Sequence, residues 1–388
     1  MHIIISRFSA IGDVAITIPV VYGLAQANPS YRFTMLTKRG MTRIFVNPPR
    51  NLEVIGLDFK GNPLSDYRTL ADAVDAVKDK GDGNDGRYFV DLHDVMRSRL
   101  LSLVCLLRGY KTLRFDKARK AKRDIIRHSS KAPREVSSNF IRYAAPFARI
   151  HGIKPAAAFR SVFPDGKGDK TLFEHLTGHR HKGERWIGIA PFAAHEGKIY
   201  PPELMKQVID LLAAKSDTRI YLFGGGRREA EILGGWAADH GNVISLAGSG
   251  LSLEAELSLM SHLDLMVTMD SANMHFASLV GTPTLSIWGA TSPVTGFAPY
   301  QSPDSPRPNE YIQVDGLECR PCSVFGDKPC RIGGRLSVPP PHPALRCRIP
   351  DNGALPSGQP LTQPFLRVWC CRTSGHHLPC RDARLVRP

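Results

Sequence analysis

The run of residues 264–289 constrains the fold of this chain more than any other part of the sequence. It opens with a short apolar segment typical of a strand, Leu265–Met269, and then turns at Asp270 and Ser271. A helical pattern follows, closed by a glycine and a proline, before a second apolar segment at Thr284–Trp288. A strand, a helix and another strand in this order predict a parallel α/β unit.

Parallel α/β sheets bind ligands outside the carboxyl ends of their strands, where Asp270, Ser271, Ala272 and His275 would lie. The start of a helix offers unpaired backbone N–H groups and a partial positive charge, which favour a phosphate. We therefore expect an anionic ligand here, of the kind that a nucleotide provides.

Strand and helix patterns alternate through both halves of the chain. In the first half a helical pattern covers Ile18–Ala27, and the strand-like segments are His2–Ser6, Phe33–Thr37, Val54–Leu57, Tyr88–Leu92 and Thr112–Phe115. In the second half they are Trp186–Pro191, Arg219–Phe223, Val243–Leu246, Leu265–Met269, Thr284–Trp288 and Tyr311–Val314. This pattern predicts an α/β protein with two doubly wound, Rossmann-like lobes that face a cleft.

A chain of 388 residues exceeds one ordinary hydrophobic core, so we expect two domains. We assign an N-terminal lobe to residues 1–176, a polar linker to residues 177–184 and a C-terminal lobe to residues 185–330. Residues 331–388 differ, because they contain ten Pro, four of the eight Cys, nine Arg and neither Lys nor Glu. Such a composition predicts an irregular tail.

Neither a membrane span nor a secretion signal is expected. No run approaches the roughly 18 uninterrupted apolar residues of a span. The start of the chain, Met1–Arg7, lacks the basic, apolar and small-residue segments of a signal peptide. We interpret it as a first strand and expect a cytoplasmic protein.

The net charge of +15 predicts a polyanionic partner. Nine Arg and two Asp give the tail a charge of +7, and most of the remaining excess lies in residues 111–134, with ten Lys and Arg residues. A solvated helix face, an acidic glycolipid and a membrane surface are all compatible with this segment. Nucleic acid is not expected, because aromatic residues do not alternate with the cations and no binding module is recognisable.

The sequence from Arg7 to Val20 indicates the end of a strand, a small-residue turn with Gly12, and a helix that begins around Asp13. An aspartate at a helix start commonly caps the helix, a contribution of about 1 kcal/mol. The alternative is a carboxylate directed into the inter-lobe cleft as a general base. No Gly-Lys-Ser/Thr sequence follows, so this turn is not a nucleotide-binding P-loop.

Two further motifs follow predicted strands of the second half. Lys198 is either a surface lysine or a point charge that neutralises a diphosphate. Glu229 follows the glycines at 224–226, and it either accepts a hydrogen bond from a ribose hydroxyl or stabilises a helix start.

Cys319, Cys322 and Cys330 have a Cys-x2-Cys-x7-Cys spacing. A tetrahedral zinc site needs a fourth ligand, and none follows at short range before Cys347. We expect no metal, and these three cysteines are the ligands if one binds.

Together the motifs resemble the family 9 glycosyltransferases, the ADP-heptose:lipopolysaccharide heptosyltransferases. The resemblance extends in order over residues 1–330 and rests on Arg7-Phe-Ser-Ala-Ile-Gly-Asp13, the Lys198 loop, the Gly224–Glu229 turn, Leu246-Ala-Gly with Leu253-Glu-Ala-Glu-Leu257, and Asp270-Ser-Ala-Asn-Met-His275 with Gly281-Thr-Pro283. Ala272 and Asn273 depart from the family, which usually has Gly and often has Pro there. The resemblance implies a GT-B fold and transfer of heptose or a similar sugar from an ADP-sugar to a cell-envelope glycan, with inversion and without a metal or cofactor.

The resemblance also implies roles for individual residues. Asp13 would deprotonate the acceptor hydroxyl, while Lys198 and the helix start Ser271–His275 would stabilise the departing ADP. Asp270 matches the residue that holds the donor sugar, and Glu229 matches the one near the nucleoside. The acceptor, an anionic glycolipid of the lipopolysaccharide core at the inner-membrane surface, would meet the basic residues Arg114, Lys117, Arg119 and Lys120.

The resemblance ends after Cys330. Relatives tend to continue with Gly-Asp-Tyr-x-Cys-Leu, whereas this chain reads Gly334-Arg-Leu-Ser-Val-Pro339. One codon choice for residues 335–339, read one base later, encodes Asp-Tyr-Pro-Cys-Leu. We hypothesise that residues 331–388 are wholly or partly an out-of-frame translation, which the nucleotide sequence of the gene would test.

Two other functions remain open, and a third is disfavoured. The first is a truncated, catalytically impaired product that binds a sugar nucleotide without closing its lobes. The second is a polyanion-binding protein whose binding depends on Lys117–Arg123 and falls with salt. A Rossmann oxidoreductase is disfavoured, because no Gly-x-Gly-x-x-Gly turn follows the first strand.

Overall fold

A computed structural model describes residues 1–77, 86–303, 305–314 and 319–328. In these residues each half of the chain forms one parallel sheet with apolar clusters on both faces. The predicted α/β class with two Rossmann-like lobes is therefore confirmed. The predicted tail, residues 331–388, lies outside the described residues.

The first sheet has its strands in the order β3-β2-β1-β4-β5, and all neighbours are parallel. The strands are β1 His2–Ser6, β2 Arg32–Lys38, β3 Leu52–Leu57, β4 Arg87–Asp91 and β5 Lys111–Arg114. Ile3 and Ile5 pack on one face and Ile4 on the other, because successive side chains of a strand point to opposite faces.

Within the described part of the first half, five α-helices accompany this sheet. Helix α1, Ile11–Ala27, packs on the face of Ile3, while α2, Pro63–Val77, and α3, Met96–Leu107, pack on the opposite face. Two shorter helices follow the last strand: α4, Arg119–Ile126, and α5, Asn139–Ala144. Because α1 follows β1 directly, its first turn lies at the carboxyl edge of the sheet.

The second sheet has the order β11-β10-β9-β6-β7-β8, again with parallel neighbours. Its strands are β6 Arg185–Ala190, β7 Thr218–Leu222, β8 Val243–Ser245, β9 Leu265–Met269, β10 Thr284–Ile287 and β11 Glu310–Ile312. Its helices are α6 Glu174–Thr177, α7 Pro202–Ala213, α8 Arg227–Ala238, α9 Leu253–Ser261 and α10 Ala272–Leu279. The β9-α10 turn therefore lies at the carboxyl edge of this sheet.

The two lobes meet where α1 packs against α10. A Cβ atom added to Gly12 would lie 3.3 Å from Cδ2 of His275 and 3.5 Å from Cα of Ala272. Glycine at position 12 therefore permits the close approach of the two helices. The turn after β1 and the turn after β9 face each other at this contact.

The predicted strands agree closely with the structure. Each of the eleven segments overlaps an observed strand, and the ends differ by two residues at most. The helix expected to begin around Asp13 begins at Ile11. The division into residues 1–176, 177–184 and 185–330 remains a proposal. No helix in the described ranges combines the length and the apolar character that crossing a bilayer requires.

Candidate active site

Asp13 lies in the first turn of α1, but it does not cap the helix. The N-cap residue is Ala10, which makes no side-chain capping bond. Oδ2 of Asp13 instead pairs with Nη2 of Arg7 at 2.5 Å, and the side chain of Asp13 stays 20% exposed. The carboxylate is thus fixed on one oxygen and accessible from the cleft.

Arg7 holds Asp13 from the buried side of the turn. Its side chain is 7% exposed, and Nη1 donates to the carbonyl oxygen of Leu92 at 2.8 Å. The guanidinium lies 5.8 Å from the ring centroid of Tyr143. Because an arginine stays charged at any physiological pH, this ion pair persists and fixes the orientation of the carboxylate.

Lys198 and Asp270 form a second buried ion pair, in the C-terminal lobe. Nζ of Lys198 lies 2.9 Å from Oδ2 of Asp270, and the two side chains are 15% and 7% exposed. Asp270 directly follows β9, and the stem of Lys198 packs against Gly326, where an added Cβ would lie 2.7 Å from Cγ of the lysine. Lys198 is therefore mostly buried and paired, and its role at a diphosphate remains a prediction.

The first turn of α10 offers backbone donors to a ligand. Ser271 is the N-cap residue in extended conformation, and its side chain makes no capping bond to the helix. Its Oγ lies 3.3 Å from Oγ1 of Thr268. With Ala272 as the first helical residue, the backbone can approach a phosphate without a bulky side chain between them.

His275 occupies the point where the two lobes meet. Its side chain is buried, and burial lowers its pKa to about 4, so the ring is neutral at pH 7. The charges of Asp270, Asp13 and Lys198 all act on it. Its Nδ1 has no hydrogen-bond partner among the described atoms. The structure thus brings Asp13, Lys198 and Asp270 near this ring, whereas Glu229 lies on α8.

Glu229 lies in the first turn of α8 and folds back over the glycine turn. Its Oε2 accepts a hydrogen bond from the backbone N–H of Gly225 at 2.8 Å. This contact supports the structural alternative for Glu229, stabilisation of a helix start. A role at the nucleoside remains a prediction.

A cavity of about 800 Å³ opens beside Asp13 between the two lobes. Cations supply much of the wall on the N-terminal side, and aromatic and small residues close the opposite side. The lining residues are Arg7, Asp13, Phe115, Lys117, Arg119, Lys122, Arg123, Ile126, Arg127, Asn139, Arg142, Tyr143, Phe297, Cys322, Ser323, Val324, Phe325, Asp327 and Lys328. Such a cavity suits an anionic acceptor that presents a hydroxyl to Asp13.

Two of the four predicted acceptor-side cations reach this cavity. Lys117 donates to the carbonyl oxygen of Asp94 at 3.0 Å, and Arg119 pairs with Oδ2 of Asp94 at 2.7 Å. Arg114 does not line the cavity and lies 3.6 Å from the carboxylates of Asp91 and Asp94. Lys120 does not line it either, because it lies on the exposed side of α4.

Lys122 is a site residue that sequence reasoning missed. Its side chain is buried, and Nζ lies 4.2 Å from the ring centroid of Phe297. Burial, followed by the charge of Arg142, lowers its pKa to about 7. The sequence contained a signal for this burial. Lys122 precedes the buried Ile125 by about one helical turn, so the two residues lie on the same inward face of α4.

Arg7, Arg142 and Tyr143 were also missed as site residues. Arg7 stands at the start of the recognised motif, but its sequence position does not reveal its pairing with Asp13. Arg142 and Tyr143 lie in α5, far from any motif in the sequence, and only the packing of α1 against α5 brings them to the cavity.

Only two of the three cysteines that could bind a metal belong to the described residues. Cys319 and Cys322 are described, and Cys322 lines the cavity. Cys330 lies outside the described residues. Within those residues no group of three or more His, Cys, Asp or Glu side chains is placed to hold a metal ion, and the expectation of no metal remains a prediction.

Residues 144–313 match the sequence profile of glycosyltransferase family 9 (heptosyltransferase). The C-terminal half of the chain is thus similar to the glycosyltransferases of this family. The matched region includes α10 and the Lys198–Asp270 pair. No curated protein matches the chain.

Solved structures share the fold. A family 9 glycosyltransferase from Veillonella parvula is 19% identical with a TM-score of 0.61, over 78% of this chain and 84% of that one. Escherichia coli heptosyltransferase WaaC with ADP is 18% identical with a TM-score of 0.58, over 83% and 96%. E. coli ADP-heptose lps heptosyltransferase II is 16% identical with a TM-score of 0.57, over 84% and 93%. These similarities confirm the GT-B fold.

Proposed function

We propose that the protein transfers a heptose, or a similar sugar, from an ADP-sugar to a hydroxyl of a lipopolysaccharide-core or related cell-envelope glycan. The observation that carries the proposal is the contact of Gly12 with His275 and Ala272. This contact brings the first turn of α1, which contains Asp13, close to the start of α10, to which we assign the binding of the diphosphate. A base and a leaving-group site that face each other are what an inverting, direct displacement requires.

In the proposed reaction Asp13 accepts the proton of the acceptor hydroxyl. The oxygen of that hydroxyl attacks the anomeric carbon of the donor at the same time. The bond between that carbon and the diphosphate breaks, and ADP leaves with the electron pair. Arg7 holds Oδ2 of Asp13, so Oδ1 is left to receive the proton. Attack from the side opposite to the leaving group inverts the anomeric carbon.

The departing diphosphate accumulates negative charge, and we assign its stabilisation to the backbone donors of Ser271 and Ala272 together with Lys198. Asp270 pairs with Lys198, and we assign to it the acceptance of hydrogen bonds from the donor sugar. Because protein groups supply this charge, the proposal needs no metal ion.

Two E. coli structures of similar fold support the choice of donor. One is heptosyltransferase WaaC with ADP, and the other is named ADP-heptose lps heptosyltransferase II. Thermal unfolding with candidate nucleotide sugars tests it. At a concentration of about 100 times Kd, an ADP-sugar should stabilise the protein by about 2.7 kcal/mol. The corresponding UDP-sugars should give no shift, and an equal shift with both would contradict an ADP-specific site.

Replacing Asp13 by Asn should lower acceptor-dependent ADP release by about 10²–10⁴-fold, because the amide cannot accept the proton. The thermal shift caused by the ADP-sugar, which measures donor binding, should stay near the wild-type value. Asp58→Asn is a matched control, because Asp58 forms a 2.6 Å ion pair with Arg39 on the surface. Full activity of Asp13→Asn would exclude Asp13 as the base.

The same assay separates this function from its alternative, a truncated product that binds sugar nucleotide without catalysis. That product would show the ADP-sugar thermal shift but no acceptor-dependent ADP release. Residues 331–388, on which this alternative depends, lie outside the described residues, and the out-of-frame hypothesis remains a prediction.

We further propose that the enzyme acts at the cytoplasmic face of the inner membrane, where a glycolipid acceptor would be presented.

A further inference from the structure

The turn between β4 and α3 is built around two buried aspartates. Asp91 ends β4, and its Oδ1 accepts hydrogen bonds from the backbone N–H groups of His93 and Asp94 at 2.8 and 2.9 Å. Its Oδ2 accepts a hydrogen bond from Oγ of Ser98 at 2.9 Å. Asp94 has a φ of 48°, in the left-handed region that Asp adopts more readily than most residues. These contacts fix the turn and, with it, the place of Asp94.

Asp94 contacts four cations at once. Its carboxylate lies 2.7 Å from Nη2 of Arg119, 3.0 Å from Nε of Arg99 and 3.6 Å from Nε of Arg114. Its backbone carbonyl oxygen accepts hydrogen bonds from Nζ of Lys117 at 3.0 Å and from Nη2 of Arg119 at 3.2 Å. One buried residue therefore contributes to the positions of four long and flexible side chains.

The stability of the fold does not explain this arrangement. The three arginines are each roughly half-exposed, and ion pairs with exposed partners contribute little to stability. The four cations of the cluster face two carboxylates, those of Asp91 and Asp94, so the cations also repel one another. A cluster that keeps an excess of positive charge in a fixed geometry is suited to binding an anion.

Two of the four cations reach the site of the proposed reaction. Lys117 and Arg119 line the cavity that contains Asp13. Burial, followed by the charges of Arg7 and Arg119, lowers the pKa of Lys117, and the charge of Asp94 opposes this shift. Asp94 thus holds Lys117 through its carbonyl oxygen and favours the charged form of the lysine through its carboxylate.

We infer that Asp94 is a positioning residue for the acceptor, because it fixes Arg119 and Lys117 in the cavity wall before an anionic group arrives. This inference rests on the proposed function, in which the cavity receives an anionic acceptor. Ordering a long side chain on binding costs affinity, and a side chain that is already held in the free protein avoids that cost. Asp94 itself does not line the cavity, so it acts through the two cations.

Steady-state kinetics of Asp94→Asn at saturating ADP-sugar test the inference. Asn has the same shape and tolerates the left-handed conformation, but it forms no ion pair. The KM for the acceptor should rise about tenfold, while kcat stays near the wild-type value. Asp94→Gly, which removes the side chain without straining the backbone, should give the same result.

A purely electrostatic role of Asp94 predicts the opposite change. Its negative charge weakens the positive potential of the cavity wall, so its removal would by itself favour an anionic acceptor. A lower or unchanged KM would therefore overturn the inference, and so would a fall in kcat without a change in KM.

Asp66→Asn is the matched control. The side chains of Asp66 and Asp94 are both 6% exposed, and Asp66 lies 2.7 Å from Nε of Arg97, the distance that also separates Asp94 from Arg119. Arg97 does not line the cavity. Asp66→Asn should therefore lose a similar amount of stability and keep the wild-type KM. An equal rise of KM in this variant would show a general effect of destabilisation and would overturn the inference.

Modification by phenylglyoxal, which reacts with accessible guanidinium groups, tests the positioning without any turnover. Mass spectrometry of peptides from the full chain measures the rate at Arg119. This rate should be several times faster in Asp94→Asn and unchanged in Asp66→Asn, and equal rates in all three proteins would overturn the inference. If the wild type releases no ADP with any acceptor, the proposed function fails, while these rates still decide whether Asp94 holds Arg119.

Discussion

At the scale of single residues, Lys122 combines burial with a place in the cavity wall. Its ammonium lies over the ring of Phe297, and burial lowers its pKa to about 7. An anionic group of an acceptor in the cavity would favour the charged form. Binding of such an acceptor should then be accompanied by proton uptake near neutral pH.

Lys122→Met, which keeps a long side chain without charge, should stabilise the folded protein at pH 7 by on the order of 2 kcal/mol. The folded pKa lies below the ordinary value of 10.5. Between pH 7 and 10.5 the unfolded chain therefore binds more protons, and the wild type gains stability as pH rises. The advantage of the variant should be largest below pH 7 and shrink towards pH 10.

Urea unfolding of both proteins at pH 6, 7, 8 and 9 measures this difference. A constant difference across this range would show that Lys122 keeps its ordinary pKa in the folded protein. Lys120→Met serves as the control, since Lys120 is exposed on the same helix, and it should change stability by less than about 0.5 kcal/mol at every pH.

At the scale of elements, the contact between α1 and α10 sets the distance between the base and the donor site. Both helices begin at the carboxyl edge of their own sheet, and Gly12 removes the side chain that would separate them. Their packing depends on two small residues, Gly12 and Ala272. The geometry of the site is therefore sensitive to volume at this crossing.

Gly12→Val should lower kcat/KM at least about tenfold and destabilise the protein by about 1–3 kcal/mol, because the added methyl groups meet His275 and Ala272. Enzyme kinetics and urea unfolding measure the two effects. Gly234→Ala in α8 is the control, since an added Cβ there meets nothing within 4 Å. It should leave activity unchanged and stabilise by about 0.5–1 kcal/mol. Wild-type kinetics for Gly12→Val would refute the contact.

At the scale of the whole molecule, two buried histidines predict sensitivity to acid. Burial lowers the pKa of His93 to about 3 and of His275 to about 4. Both rings are neutral in the folded protein near pH 7, and both must take up a proton on unfolding in acid. His93 lies in the N-terminal lobe and His275 at the contact with the other lobe, so the effect is not confined to one region.

The free energy of unfolding should fall as pH decreases from about 6.5 to 4, because the unfolded chain then binds more protons than the folded one. His275 alone would account for about 3 kcal/mol at most. His93→Gln keeps an acceptor for the backbone N–H of Phe8 and does not titrate. This variant should lose part of the acid sensitivity, and a pH profile identical to the wild type would argue against the shift at His93.

The sequence by itself determined the class of fold, the eleven strand positions and the location of the two site turns. These features follow from local patterns: apolar runs of strand length, glycine and proline at turns, and the rule that parallel sheets bind ligands at their carboxyl edges. The family resemblance added the partners that Asp13 and Asp270 would have in the reaction. The match of residues 144–313 to a family profile supports this only at the level of a glycosyltransferase.

Only the tertiary structure decided which side chains meet. It paired Arg7 with Asp13 and Lys198 with Asp270, buried Lys122 in the cavity wall, and left Arg114 and Lys120 outside it. Sequence spacing gives the face of an element on which a residue lies. Its contacts depend on how separate sheets and helices pack, and here residues from both lobes form the site.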